Sequence, residues 1–113
     1  MNIEEFRSIC LSLKHVSEEL PFDDDTLVFK VHGKMFALIS IKECSSFTVK
    51  CEPEMAFELR ERYPCVKAAF HMNKRHWNSI EMSGCMDDED LIHWIRESYK
   101  LVYDKLPKRL KEE

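Results

Sequence analysis

A chain of 113 residues, 44% of them hydrophobic and with seven Phe, three Tyr and two Trp, can bury one core without staples but is too short for two domains. Its 17 Lys and Arg against 21 Asp and Glu leave a formal net charge of −4. That balance argues against a protein that coats duplex non-specifically by counterion release, while leaving room for a local basic patch.

In chain order, Asn2 followed by Glu5 predicts a helix cap with its reciprocal partner. Ile3, Phe6, Ile9/Cys10 and Leu13 then recur at helical spacing, which predicts a first helix over 2–14. A polar connection from Glu18 to Asp25 carries a short edge strand around Leu20. Thr26 to Val31 alternates, with Leu27, Phe29 and Val31 on one face and Thr26, Val28 and Lys30 on the other. His32-Gly33 reads as a two-residue hairpin turn, since glycine supplies the positive φ such turns need. Met35 to Ile41 is a nearly continuous apolar run, expected as a central strand, and Phe47 to Cys51 alternates again. Pro53 suits the first position of a second helix over 53–63, with Ala56, Leu59 and Tyr63 inward and Pro64 ending it. Val66, Ala68 and Phe70 predict a fifth strand, and Asn78 to Met82 a sixth. The run Asp87-Asp88-Glu89-Asp90 loads negative charge where a helix dipole favours it, opening a helix over 87–105. Its inner stripe is Leu91, Ile95, Ser98, Val102 and Leu106, and Pro107 closes it before a charged tail.

Tight turns between neighbouring strands predict an antiparallel sheet with helices packed on one face, an α+β two-layer sandwich in one domain over 1–113. No apolar run approaches the ~18 residues of a membrane span, and the first helix carries acids where a signal peptide carries cations. The expectation is a cytoplasmic monomer with no membrane association.

The residues that could carry chemistry are sparse. Only Gly33 and Gly84 are glycines, so no phosphate-cradling loop is present. The five Cys (10, 44, 51, 65 and 85) form an odd set without a CxxC and are expected as reduced thiols. A zinc site from Cys44 and Cys51 with His71 or His76, or from His71 and His76 with Cys85 or Glu81, lacks ligand spacing. No Ser or Cys stands in a nucleophile context and no HExxH occurs. The chain is therefore expected not to be an enzyme and to hold neither metal nor cofactor.

The densest stretch is His71-Met72-Asn73-Lys74-Arg75-His76-Trp77-Asn78, which joins cations, amides and a large aromatic. Exposed loops that mix these residue types contact nucleic acid, the cations taking phosphate and the ring a base or sugar. Trp77 otherwise packs under the third helix against Tyr99 or Trp94. Alternation also sets Lys30, Lys50 and Lys67 on the sheet face opposite the helices, where lysines equally serve solubility and edge protection.

Together with Pro64-Cys65-Val66, Pro21-Phe22, Thr26 to Val31, Gly33 to Ala37, Lys50-Cys51, Leu59-Arg60, Ser98-Tyr99 and Lys105-Leu106-Pro107, this block resembles the MmcQ/YjbR family of small bacterial proteins over nearly the whole chain. The resemblance implies a frataxin-like curved antiparallel sheet flanked by helices. It also implies DNA binding through a hairpin-based "double wing", here the Val31–Lys34 hairpin with His32 and Lys34, and the Lys74-Arg75 turn. Frataxins carry an iron-handling acidic ridge, but Glu18-Glu19 and Asp23 to Asp25 have no Gly-containing coordination loop and read as a solvated connection. The expected function is non-catalytic DNA binding, with Lys74 and Arg75 on phosphates and Asn73 and Trp77 in support. The rival expectation is a protein-interaction module using the same His71–Asn78 loop.

Overall fold

The computed structural model describes residues 1–111. Helix α1 spans Ile3–Leu11, and the Asn2 side chain accepts the Glu5 N–H at 2.9 Å as its cap. Strand β1 (Val16–Glu19) lies a few residues before the edge strand expected near Leu20, and Leu20 itself is exposed. The strands β2 (Thr26–Val31), β3 (Lys34–Ser40) and β4 (Ser46–Lys50) follow. Helix α2 (Pro53–Arg62) leads to β5 (Val66–Ala68), β6 (Trp77–Glu81), the long helix α3 (Asp88–Asp104) and a four-residue helix α4 (Lys108–Lys111). The expected charged tail is thus helical as far as Lys111, with the Tyr103 hydroxyl donating to the Lys111 carbonyl at 3.0 Å.

All neighbouring strands are antiparallel, in the order β1-β2-β3-β4-β6-β5. The β5–β6 hairpin folds back so that β6 pairs with β4 and the three-residue β5 becomes an edge. The turn at His32-Gly33 has φ of 47° and 80°, the paired positive values of a tight two-residue hairpin.

Strand alternation sends Leu27, Phe29, Val31, Ala37, Ile39, Phe47, Val49 and Ile80 to one face, where they meet Phe6 of α1, Leu59 of α2 and Leu91, Ile95 and Val102 of α3. Phe6 sits at its centre, edge-on to Phe29 at 5.5 Å and stacked on Phe47 at 4.8 Å. Truncating such a buried ring costs about 3–5 kcal/mol. Buried Asn78 donates its side-chain amide to the Ala56 carbonyl at 3.1 Å, tying α2 to β6. Arg7 grips both oxygens of Glu18, fastening α1 to β1 and holding that carboxyl below its ordinary range.

Ser98, alone among apolar neighbours on the inner stripe of α3, has a definite partner set. The β3–β4 ladder runs only from Ala37–Val49 to Ile39–Phe47. Beyond it Ser98 Oγ bridges the gap, donating to the Phe36 carbonyl at 2.5 Å and accepting the Lys50 N–H at 2.8 Å. One hydroxyl thereby satisfies two backbone groups that neighbouring strands would otherwise satisfy.

The cysteine expectation needs correction. Cys65, just before β5, and Cys85, in the β6–α3 connection, form a disulfide across a separation of 20 residues, with Cα atoms 6.1 Å apart. Both flank the short β5–β6 hairpin, so tertiary folding brings together thiols whose spacing carries no pairing signal. Cys10 and Cys51 stay free and buried, and Cys44 free and half-buried. Burial pushes the Cys51 thiol up to about 11 and that of Cys10 higher still, so neither is a thiolate at neutral pH.

Replacing Ser98 with Ala strands the Phe36 carbonyl and the Lys50 N–H. The Ser98→Ala protein is expected to lose about 1–3 kcal/mol in urea unfolding with an unchanged slope; a loss under ~0.5 kcal/mol refutes the bridging role.

Candidate nucleic-acid interface

The strand register sorts the charges by sheet end. Val31 pairs with Lys34, and Lys50 with Trp77, so the β2–β3 hairpin, the end of β4 and the turn before β6 share one end. Helix α3 delivers Lys105 there, since Lys34, Lys50 and Lys105 line a common cavity. Arg60 of α2 joins them, its guanidinium donating to the Lys74 carbonyl at 2.9 Å. The opposite end holds the starts of β2 and β4 and the end of β6, with Asp23, Asp24, Asp25, Glu43 and Glu81 beside them. The net charge of −4 therefore does not describe the end where these cations gather.

Two of those acids, Asp23 and Asp25, are occupied by local hydrogen bonds. Asp23 caps its own loop by accepting the Thr26 and Asp25 N–H groups, and Asp25 accepts from the Ser40 hydroxyl at 2.6 Å and the Lys42 N–H at 2.8 Å. These bonds hold both carboxyls below their ordinary range. Glu19 pairs with Lys30 at 3.1 Å.

The Lys74-Arg75 turn is closed by its own backbone. The Asn73 carbonyl accepts from His76 N–H at 3.1 Å and Trp77 N–H at 3.0 Å, and its side chain accepts the Arg75 N–H at 3.0 Å. The Cys51 N–H donates to the His76 carbonyl at 2.6 Å, stitching the turn to the end of β4. Trp77 is only 8% exposed and packs with Val28, Leu38 and Ala69, beside Met35 and Met72. These residues form a second cluster on the sheet face away from the helices. This corrects the expected packing under α3: as the partner of Lys50, Trp77 points away from the side that Asn78 and Val49 share with the helices. Tyr99 instead lies edge-on to Phe36 at 5.4 Å and donates to the Lys14 carbonyl at 2.8 Å, while Trp94 meets His93.

Of the six residues expected at a nucleic-acid contact, Lys34, Lys74 and Arg75 are exposed cations at one end of the sheet. Asn73 and Trp77 build the turn and anchor it. His32 is half-buried with positive φ, its ring tilted against that of His15 at a centroid distance of 4.5 Å. The linear reading missed Lys50, Arg60 and Lys105 as members of the same end. Alternation marks Lys50, but only the tertiary fold brings α2 and the end of α3 to the same end. No group of three or more His, Cys, Asp or Glu is placed to hold a metal among the described residues, and Cys85, weighed as a ligand beside His71 and His76, is bonded to Cys65.

The second exposed feature is a concavity of about 740 Å3 on the open sheet face. Its floor carries the hydroxyls of Ser46, Thr48 and Ser79, and Phe22 and Phe70 stand at its walls. Phe70, expected inside a fifth strand, lies beyond the end of β5 and is 81% exposed.

The molecule is thus a small α+β protein whose helices cover one face of an antiparallel sheet and whose β5–β6 connection straps a cationic turn over the other. Comparison with known proteins gives the family. The YjbR family model matches residues 11–101. The uncharacterised protein YbdF of Escherichia coli O157:H7 is 33% identical over 107 residues, covering 94% of this chain and 88% of that protein. The uncharacterised protein YjbR of Escherichia coli K12 is 25% identical over 108 residues, covering 95% and 92%. A crystal structure of a Deinococcus radiodurans protein described as a DUF419 domain superposes with a TM-score of 0.93 at 36% identity, over 98% of this chain and 86% of that one. A Pseudomonas syringae protein with 23% identity and a TM-score of 0.75, over 89% and 98%, shares the fold. The chain belongs to the YjbR family.

Anchor and exposed cations should separate cleanly in stability measurements. Trp77→Ala is expected to cost about 3–5 kcal/mol, whereas Lys74→Ala and Arg75→Ala should each stay within ~0.5 kcal/mol of the parent. Equal losses at Trp77 and Lys74 contradict the division of roles.

Proposed function

We propose that this protein is a small, non-catalytic, cytoplasmic DNA-binding protein that holds the duplex by its phosphates through the basic end of the sheet. The observation that carries the reading is the collection of Lys34, Lys74 and Arg75 at one end, on two tight turns that tertiary contacts hold in place. Lys34 lies on β3 and the Lys74-Arg75 turn precedes β6, two strands away in the sheet. At ~4.8 Å per strand spacing the two wings are roughly 10 Å apart, comparable with the ~12 Å width of a major groove. Such a pair can rest on phosphates either side of a groove. The buried Trp77 then acts as the anchor that aims the cations, and base stacking is left out of the scheme.

A second reading is favoured by one observation, the 81% exposure of Phe70 beside the open-face concavity. In it a protein partner covers Phe70 and Phe22, and the same loop serves as a docking element. The absence of a catalytic step is part of the proposal in both cases, supported by thiols that stay protonated at neutral pH.

A duplex titration at ~50 and ~200 mM salt discriminates. Three phosphate contacts predict a slope near −2.7 in log K against log salt, or a roughly 40-fold loss over that range. The double substitution Lys74→Ala/Arg75→Ala should lower the slope by about two. No binding at low salt, or binding that ignores the double substitution, rejects the DNA reading. Binding of a protein partner over Phe70 would change little with salt.

A further inference from the structure

Where the β3–β4 ladder stops and Ser98 bridges the gap, the splayed strands and the end of α3 leave a cavity of about 280 Å3. Met35, Val102 and Leu106 give it an apolar floor, and Lys34, Lys50 and Lys105 stand around it. The charge arrangement is unusual for a plain solvated surface. Lys30, on the same sheet, is neutralised by Glu19. No ion pair is formed by Lys34, Lys50 or Lys105 among the described residues. Burial and then the neighbouring Lys105 push the Lys50 amine below its ordinary range, with Glu52 only partly opposing them. Three cations gathered from two strands and a helix therefore repel one another over an apolar hollow.

The helix terminus does not supply the missing anion. Lys105 N–H donates to the Val102 carbonyl and Leu106 N–H to the Tyr103 carbonyl, so those two end groups are satisfied. The half charge of a helix C-terminus is also small beside three full positive charges.

We propose that this cavity binds a phosphate ester, the phosphate lying among Lys34, Lys50 and Lys105 and the body of the ester against Met35, Val102 and Leu106. A phosphate dianion suits point-charge donors on flexible stems that need no fixed fork geometry. The hollow exceeds what a bare phosphate fills, and its floor favours an attached sugar or ring. The site shares Lys34 with the duplex reading but does not involve Lys74 or Arg75, so the two stand or fall separately. A free phosphomonoester and the terminal phosphate of a nucleic-acid strand present the same group.

The test follows the lysine side-chain resonances of the full chain by NMR at low salt, with inorganic phosphate, adenosine monophosphate and adenosine as probes. Saturable shifts at Lys50 and Lys105 are expected with the first two and none with adenosine. The bound dianion should raise the Lys50 amine pKa toward its ordinary value. Lys50→Met and Lys105→Met should each weaken adenosine monophosphate binding about tenfold or more, while Lys67→Met, on β5, leaves it unchanged. Lys105 is exposed at the helix end, so its variant keeps the test valid if Lys50→Met folds poorly. Tighter binding of the free monophosphate than of a duplex with phosphorylated ends assigns a small metabolite, and the reverse assigns a strand terminus. Shifts that fail to saturate, that appear equally at all lysines, or that survive Lys105→Met overturn the site. Duplex binding that is lost in Lys74→Ala/Arg75→Ala and kept in Lys105→Met leaves the duplex reading standing without it.

Discussion

The packing of Trp77 onto Val28 and Leu38 is the contact on which the rest of the candidate site depends. An antiparallel sheet with helices on one side leaves its other face to water, and a turn crossing that face has little to hold it. Burying an indole there removes a large apolar surface from solvent and contributes about 25 cal/mol per Å2. It also places the first residue of β6, so that the Asn73 carbonyl can accept two N–H groups and close the turn. Lys74 and Arg75 thereby project from a constrained loop, which lowers the conformational entropy lost when they meet a ligand.

Charge segregation is the second constraint. A net charge of −4 argues against a polyanion partner only if the charges are mixed. Here the sheet is an axis with Asp23 to Asp25, Glu43 and Glu81 at one end and Lys34, Lys50, Lys74, Arg75 and Lys105 at the other. The ends lie at opposite termini of strands such as the seven-residue β3, which spans roughly 23 Å at ~3.3 Å per residue. Salt at physiological strength screens exposed charges beyond about 8 Å. A ligand at the basic end is therefore governed by the cations beside it and scarcely by the distant carboxylates. Global composition and local field give opposite answers about a polyanion at this end, and the local field is the one such a partner would meet.

Much of the fold was legible in the linear sequence because it is written in short-range patterns. The Thr26–Val31 alternation, the His32-Gly33 turn, Pro53 opening α2 and the acidic start of α3 each rest on neighbours in the chain, and each stands where expected. The misreadings share a cause in tertiary pairing. Phe70 falls outside β5 because that edge strand has only three paired residues. Cys65 and Cys85 meet only because the β5–β6 hairpin turns back on itself. Trp77 opens β6 and faces away from the helices because its side is set by the register with Lys50 rather than by local sequence. For the site, the exposed cations Lys34, Lys74 and Arg75 were readable as candidates. Their gathering with Arg60 and Lys105 was not, because it needs α2 and α3 in place.

Amide chemical-shift mapping would show whether the basic end of the sheet is the one that faces nucleic acid. With a short duplex added at low salt, shifts should concentrate at Gly33, Lys34, Lys74, Arg75 and their neighbours, while Asp23 to Asp25, Glu43 and Glu81 stay in place. Shifts centred on the acidic end, or spread evenly over both ends, would contradict the duplex reading.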